Sequence, residues 1–274
     1  MNSTDVPFID QWFKGLPAIY IVFIGICSCV FIAITVATVL MAMRVHFHVP
    51  NEYVQGDLYF IIFVPFIVSG MCLIGNIIPR AAPVTYAVGL MCFTLTFDLI
   101  AVAAIVCLEW TKVRRLTYFV RQSPLVRVFL QVVIVIVSIE GVSDGSAVLQ
   151  ILNGLGVAST LIAVYICHVI VTATRDVLTP YNMYVIFRCV DTTQMLYTFQ
   201  KFILDLIAKN GGMGGLPMAT PPMVARFWHN VAMTFEVGIV CVVMFRNIGP
   251  GKSAFFAEQN EAVHVCHPMP LANL

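Results

Sequence analysis

The chain has 274 residues, 60% of them hydrophobic and 11% charged, with a formal net charge of +1 and a mean hydropathy of +0.92. Soluble domains carry about 25% charged residues, so this balance excludes an ordinary soluble domain, and a near-neutral charge lacks the basic footprint of a nucleic-acid binder. The nine cysteines fall mostly inside apolar runs and no pair has CxxC spacing, so they read as small core residues rather than a disulfide framework or a zinc or redox site.

The first 13 residues hold Asp5 and Asp10 and no Lys or Arg, which is unlike the basic start of a signal peptide. From Gly15 to Met43 there are 29 residues without Asp, Glu, Lys or Arg. A bilayer core about 30 Å thick is crossed by roughly 20 helical residues, so a first membrane span is predicted over 16–43. A second is predicted over 58–78, bounded by Pro79-Arg80, and a third over 82–108, containing Asp98. The fourth covers 125–142 and ends near Glu140, and the fifth covers 148–171. The sixth, 180–208, is unusually polar and is preceded by Thr179-Pro180, a good cap and first-turn pair. The seventh, 223–245, contains His229 and Glu236, and 246–274 form a short tail. Residues 110–124 make a basic loop, and 209–222 are rich in Gly and Pro. The predicted fold is one all-α membrane domain over 1–274, a bundle of seven transmembrane helices.

Lys and Arg placement sets the orientation. With the N-terminus outside and the C-terminus cytosolic, nine of these residues are cytosolic (Arg44, Lys112, Arg114, Arg115, Arg121, Arg127, Arg175, Arg246, Lys252) against four outside (Lys14, Arg80, Lys209, Arg226). Asn2-Ser3-Thr4 is a glycosylation sequon, external in this orientation, with Asn2 as the acceptor.

The sixth helix carries the sharpest signal. Arg188, Asp191, Gln194, Thr198, Lys201 and Asp205 are spaced by 3, 3, 4, 3 and 4, an arc of roughly 140°. Val190, Phe199, Ile203 and Leu206 are expected on the opposite side. Ionisable groups are expensive in lipid, so such a stripe must face the bundle interior or water. The functional reading is one wall of a hydrated solute pathway. The structural reading is a ladder of Arg188–Asp191 and Lys201–Asp205 pairs that neutralise each other. His229 and Glu236 are seven residues apart on one helix face. With mid-span Asp98 they form either a proton or ion relay, or groups that pair with the cations of the sixth helix or are protonated in place. His168 reads as a packing or interfacial residue. His46-Phe47-His48, placed in a cytosolic loop, and His264-Val265-Cys266-His267 are short clusters read as solvated rather than metal-binding. No cofactor, nucleophile elbow, P-loop or HExxH motif is indicated. Gly154/Ala158 and Gly156/Thr160 give the fifth helix small-xxx-small spacing, expected to be a close-packing face inside the bundle or towards another membrane helix.

Ser143-Asp144-Gly145-Ser146 leading into Leu155-Gly156-Val157-Ala158-Ser159-Thr160-Leu161 resembles an acidic turn and a following helix of the organic solute transporter alpha subunits. Ile78-Pro79-Arg80, Glu109 and Met233-Thr234-Phe235-Glu236 are similar to the same family in order and spacing. The resemblance covers about residues 50 to 250. It implies facilitated, ion-independent movement of steroid conjugates, bile-acid-like molecules and related amphipathic anions. It also implies a single-span beta subunit as partner and a plasma-membrane location. The vertebrate members carry a Cys-rich run between helices three and four, which this chain lacks, so its lipidation does not carry over. The alternative is a seven-helix receptor or signalling or scaffold protein. Against a receptor, Leu108-Glu109-Trp110 stands where Asp-Arg-Tyr would, and the seventh helix lacks Asn-Pro-x-x-Tyr. For a third class, a membrane-embedded enzyme, no catalytic constellation is visible.

Overall fold

A computed structural model of the chain describes residues 7–49, 52–106, 126, 129–130, 132–137, 140, 147–173, 175, 179, 182–216, 219–253 and 256. These are helical almost throughout, apart from one isolated antiparallel bridge between Leu216 and Ala219. Among the described residues three helices are long and apolar enough to cross a membrane: Ala18–His48, Pro221–Asn247 and Val54–Ile77.

A short helix absent from the sequence expectations, α1 (Ile9–Gly15), precedes the first long one. Its Trp12 is buried and donates from Nε1 to the carbonyl of Asn76 at 3.0 Å, while the Arg80 guanidinium lies 3.6 Å over the Phe8 ring. These two contacts seat α1 against the end of the third helix. The next helix, α2 (Ala18–His48), runs beyond the expected limit of 43, so His46 and His48 lie in its last turn rather than in a loop. It buries Tyr20, Ile24, Cys27, Ile34, Thr38, Met41 and Val45, spaced by 3, 4 and 7. Its other face exposes Ile21, Ile32, Val36 and Val39. A helix apolar on both faces and buried on one is suited to lipid.

The third helix, α3 (Glu52–Ile77), contains Pro65, which removes one backbone donor. Ser69 donates its hydroxyl to the Pro65 carbonyl at 2.7 Å and to that of Phe66 at 3.1 Å, the i−4 and i−3 back-bonding that satisfies a Ser inside an apolar helix. A 3-10 turn, Pro79–Ala81, leads directly into α4 (Ala82–Val106). Of the expected fourth span, 126, 129–130 and 132–137 are helical and 140 lies in a turn, the rest being outside the described residues. The remaining long helices are α5 (Ala147–Ala173), α6 (Met183–Lys209) and α7 (Pro221–Asn247).

Two start signals differ in outcome. Thr220 and Pro221 open α7 with the cap residue extended and Pro in the first turn. Thr179-Pro180 does not open α6. The cap is Asn182, in the left-handed conformation at φ 55°, and the Thr179 hydroxyl turns back to the Arg175 carbonyl at 2.7 Å. Asn tolerates that conformation where most residues do not. Its side chain also donates to the Lys252 carbonyl, so it holds the segment after α7. There Ile248 and Ser253 are buried and Phe256 packs near the His48 ring.

The main core joins α2, α3, α4, α6 and α7 through Met41, Ile62, Phe93, Phe187, Tyr197 and Met233. A second cluster gathers Trp12 and Leu16 with Tyr20, Ile24, Phe227 and Val231. No described residue between 126 and 182 is fully buried. Thus α5 and the helical stretch before it form an outer layer against α4 and α6.

Candidate functional site

The stripe on α6 turns inward. Asp191, Gln194 and Thr198 are buried, while Arg188, Lys201 and Asp205 are half-buried. Ile203 and Leu206 face outward as expected. Val190 does not: it is buried in the main core. Its position is only about 20° from the edge of the stripe on a helical wheel, so it belongs beside the polar face rather than opposite it.

The lower half of the predicted ladder forms and the upper half does not. Lys201 and Asp205 make the ion pair found among the described residues. Arg188 passes over Asp191 and donates to the Tyr184 hydroxyl, from Nε at 3.2 Å and from a terminal nitrogen at 3.1 Å. Asp191 Oδ1, Gln194 Oε1 and Thr198 Oγ1 find no hydrogen-bond partner among the described residues. Buried polar atoms are nearly always satisfied. Three unsatisfied oxygens on successive turns therefore mark a face that suits a polar ligand or water.

A cavity of about 50 Å³ opens on this face, large enough for a water molecule or part of a solute. Thr198, Lys201, Phe202 and Asp205 line it from α6, and Tyr86 and Leu90 from α4. Gly156 and Val157 of α5, with Leu130 and Ile134, complete the wall. Among the described residues its surroundings are mainly apolar, with one cation, Lys201, and one carboxylate, Asp205. The Lys201 ammonium also sits 5.0 Å over the Tyr86 ring, a cation–π contact. Gly154 and Gly156 are not packed closely inside the bundle by the described residues, which leaves the alternative, a face towards another membrane helix, open to test. A Cβ added at either position would meet nothing within 4 Å.

The other candidates separate. His229 is buried between aromatic rings, 5.2 Å from Tyr197 and 6.1 Å from Tyr86, and neither ring nitrogen has a partner among the described residues. Glu236 takes a hydrogen bond at 3.1 Å from Gln200 rather than pairing with a cation of α6. The Asp98 side chain, Asn2, the His264–His267 cluster, Glu109 and the turn 143–146 lie outside the described residues. His168 is half-buried near the end of α5. Among the described residues no group of three or more His, Cys, Asp or Glu could hold a metal ion.

Sequence reasoning missed Tyr86, Tyr197, Tyr184, Gln200 and the opening at Gly156. Tyr184 had a signal, since it lies four residues before Arg188 and so on the same side of the helix. Tyr86 and Tyr197 had none, because their pairing crosses from α4 to α6.

Comparison with known proteins agrees with the apolar helices. "Organic solute transporter alpha-like protein 1" of Caenorhabditis elegans is 27% identical over 287 residues, covering 92% of this chain and 75% of the relative. "Organic solute transporter alpha-like protein 2" of the same organism is 22% identical over 290 residues, covering 92% and 85%. No solved structure matches the chain significantly. Residues 21–247 match the family described as "Organic solute transporter Ostalpha", and the chain, an integral membrane protein, belongs to that family.

Proposed function

We propose that this protein is a transporter subunit that carries amphipathic organic anions, such as steroid conjugates or bile-acid-like solutes, by facilitated movement across the plasma membrane. It spans the membrane seven times with its N-terminus outside and works with a single-span beta subunit. The supporting observation is the cavity on α6, where an apolar wall meets one cation, Lys201. An anionic group in an apolar setting is heavily penalised without a partner, and Lys201 supplies one. The apolar body of the solute lies against Leu90, Leu130, Ile134 and Val157. Asp205 holds Lys201 until the solute anion takes its place. Arg188, 13 residues or about 20 Å along the helix, offers a second contact. Weak successive contacts allow release as readily as entry. Asp191, Gln194 and Thr198 carry the polar edge of the solute between them, and Asp98, His229 and Glu236 are the further candidates for solute contact.

The test is tracer flux of a steroid sulfate into proteoliposomes, with and without a co-expressed single-span subunit. Saturable flux that falls in Lys201→Gln at unchanged protein content supports the proposal. Flux equal to that of empty vesicles in both preparations overturns it.

A further inference from the structure

Gly89 faces the hydroxyl of Tyr197. A Cβ built at Gly89 would lie 2.5 Å from that oxygen, closer than real Cβ atoms approach, and 3.1 Å from the ring carbon that bears it, a tight contact. The bare backbone at 89 lets the phenol reach the surface of α4, where it donates to the Tyr86 carbonyl at 3.2 Å. The two tyrosine rings then lie parallel, with centroids 4.8 Å apart and an interplanar angle of 5°. Phe93 meets the Tyr197 ring at 5.4 Å, and Tyr197 is fully buried, so the phenol has little room to shift. Tyr86 is the ring over which the Lys201 ammonium sits.

We propose that Gly89 is a positioning residue for Lys201, acting through the Tyr197 and Tyr86 rings. This rests on the reading of Lys201 as the solute's cation. Lys201 has two holds, the Asp205 carboxylate and the Tyr86 ring. A solute anion competes with the first and leaves the second in place. The ring therefore keeps the ammonium in the cavity during the exchange, when the flexible four-carbon stem of Lys would otherwise let it wander. Placing the ring requires the stack, and placing the stack requires a residue without a side chain at 89.

The experiment uses the full chain in proteoliposomes and two readouts. The first is the labelling rate of Lys201 by an amine-reactive reagent, measured by peptide mass spectrometry, which needs no transport. The second is the half-saturating concentration for steroid sulfate flux. In Gly89→Ala, Lys201 labelling is expected to rise several-fold. The half-saturating concentration should rise about tenfold, the scale of a lost desolvated cation–π contact, with maximal flux less affected. Tyr197→Phe removes the oxygen that the new methyl meets, so Gly89→Ala should have little further effect in that background. Unchanged labelling in Gly89→Ala, or an equal rise in both backgrounds, overturns the proposal. If Gly89→Ala fails to fold, Tyr86→Leu carries the test: faster Lys201 labelling supports the relay and an unchanged rate overturns it. Absence of flux in the unsubstituted protein sinks the transport reading alone, since labelling still decides the relay.

Discussion

The Lys201–Asp205 pair separates a structural from a functional role for the stripe. The two side chains are 17% and 24% exposed. Breaking a fully buried pair by removing one partner costs about 3–5 kcal/mol, because the other charge is left uncompensated. With about a fifth of each side chain exposed, roughly 1–3 kcal/mol is a reasonable expectation for Lys201→Met, and thermal unfolding in detergent measures it. Removing both charges leaves no orphan, and replacing a buried pair by neutral groups is often close to neutral. Lys201→Met/Asp205→Asn is therefore expected to recover most of the unfolding temperature. Its anion flux should not recover. A hydrogen bond to a charged group contributes about 1.5–3 kcal/mol, so losing the cation raises the half-saturating concentration by roughly tenfold to a hundredfold. Recovery of both stability and flux in the double variant would refute the reasoning, because the pair would then serve only to neutralise itself.

Three further outcomes are expected. Gln200→Leu leaves the half-buried Glu236 without its amide partner and should destabilise the protein by about 1–3 kcal/mol. Adding Glu236→Leu should reverse that loss, and a double variant as unstable as the single one would show that the pair does not bear on stability. Gly75→Ala places a Cβ 2.9 Å from both Asn230 Nδ2 and Thr85 Oγ1, next to the 3.0 Å Asn230–Asn76 hydrogen bond. A loss of about 1–3 kcal/mol is expected by thermal unfolding, and an unchanged unfolding temperature would count against this close approach of α3 and α7. Epitope tags at the two termini should label on opposite faces of intact cells. Two cytosolic tags would remove the seven-span topology.

The stripe on α6 was legible because residues spaced by 3 and 4 share a helix face whatever surrounds the helix. The sequence does not say which partner each member takes. Arg188 had Asp191 three residues ahead and Tyr184 four behind, both within reach, and it takes the tyrosine. The partner of Glu236 proved to be Gln200, an uncharged, half-buried residue of α6 about 100° from the nearest edge of the stripe on a helical wheel. Likewise the Tyr86–Tyr197 stack depends on where α4 and α6 meet. Capping failed for a related reason: Thr179-Pro180 has the right chemistry, but the left-handed turn at Asn182 is fixed partly by a contact with Lys252, far away in sequence. The short α1 escaped detection because seven residues give too little periodicity, and its position depends on Trp12 meeting Asn76.

The outer layer from 126 to 182 has a mechanical consequence. In water, prying a helix from its neighbours exposes apolar surface, and the resulting penalty closes the gap again. In a bilayer the acyl chains are as apolar as the side chains they would replace, so that restoring force is nearly absent. The layer has no fully buried residue among those described, and Gly156, which faces the cavity, has no side chain to interlock. Separating α6 from α7, by contrast, would break the buried core around Phe187, Tyr197 and Met233. The polar face of α6 is thus backed by the buried core and faced, among the described residues, by a layer with no fully buried member. A change in cavity volume is therefore expected to come from the side of α5, leaving the bundle that holds Lys201 intact.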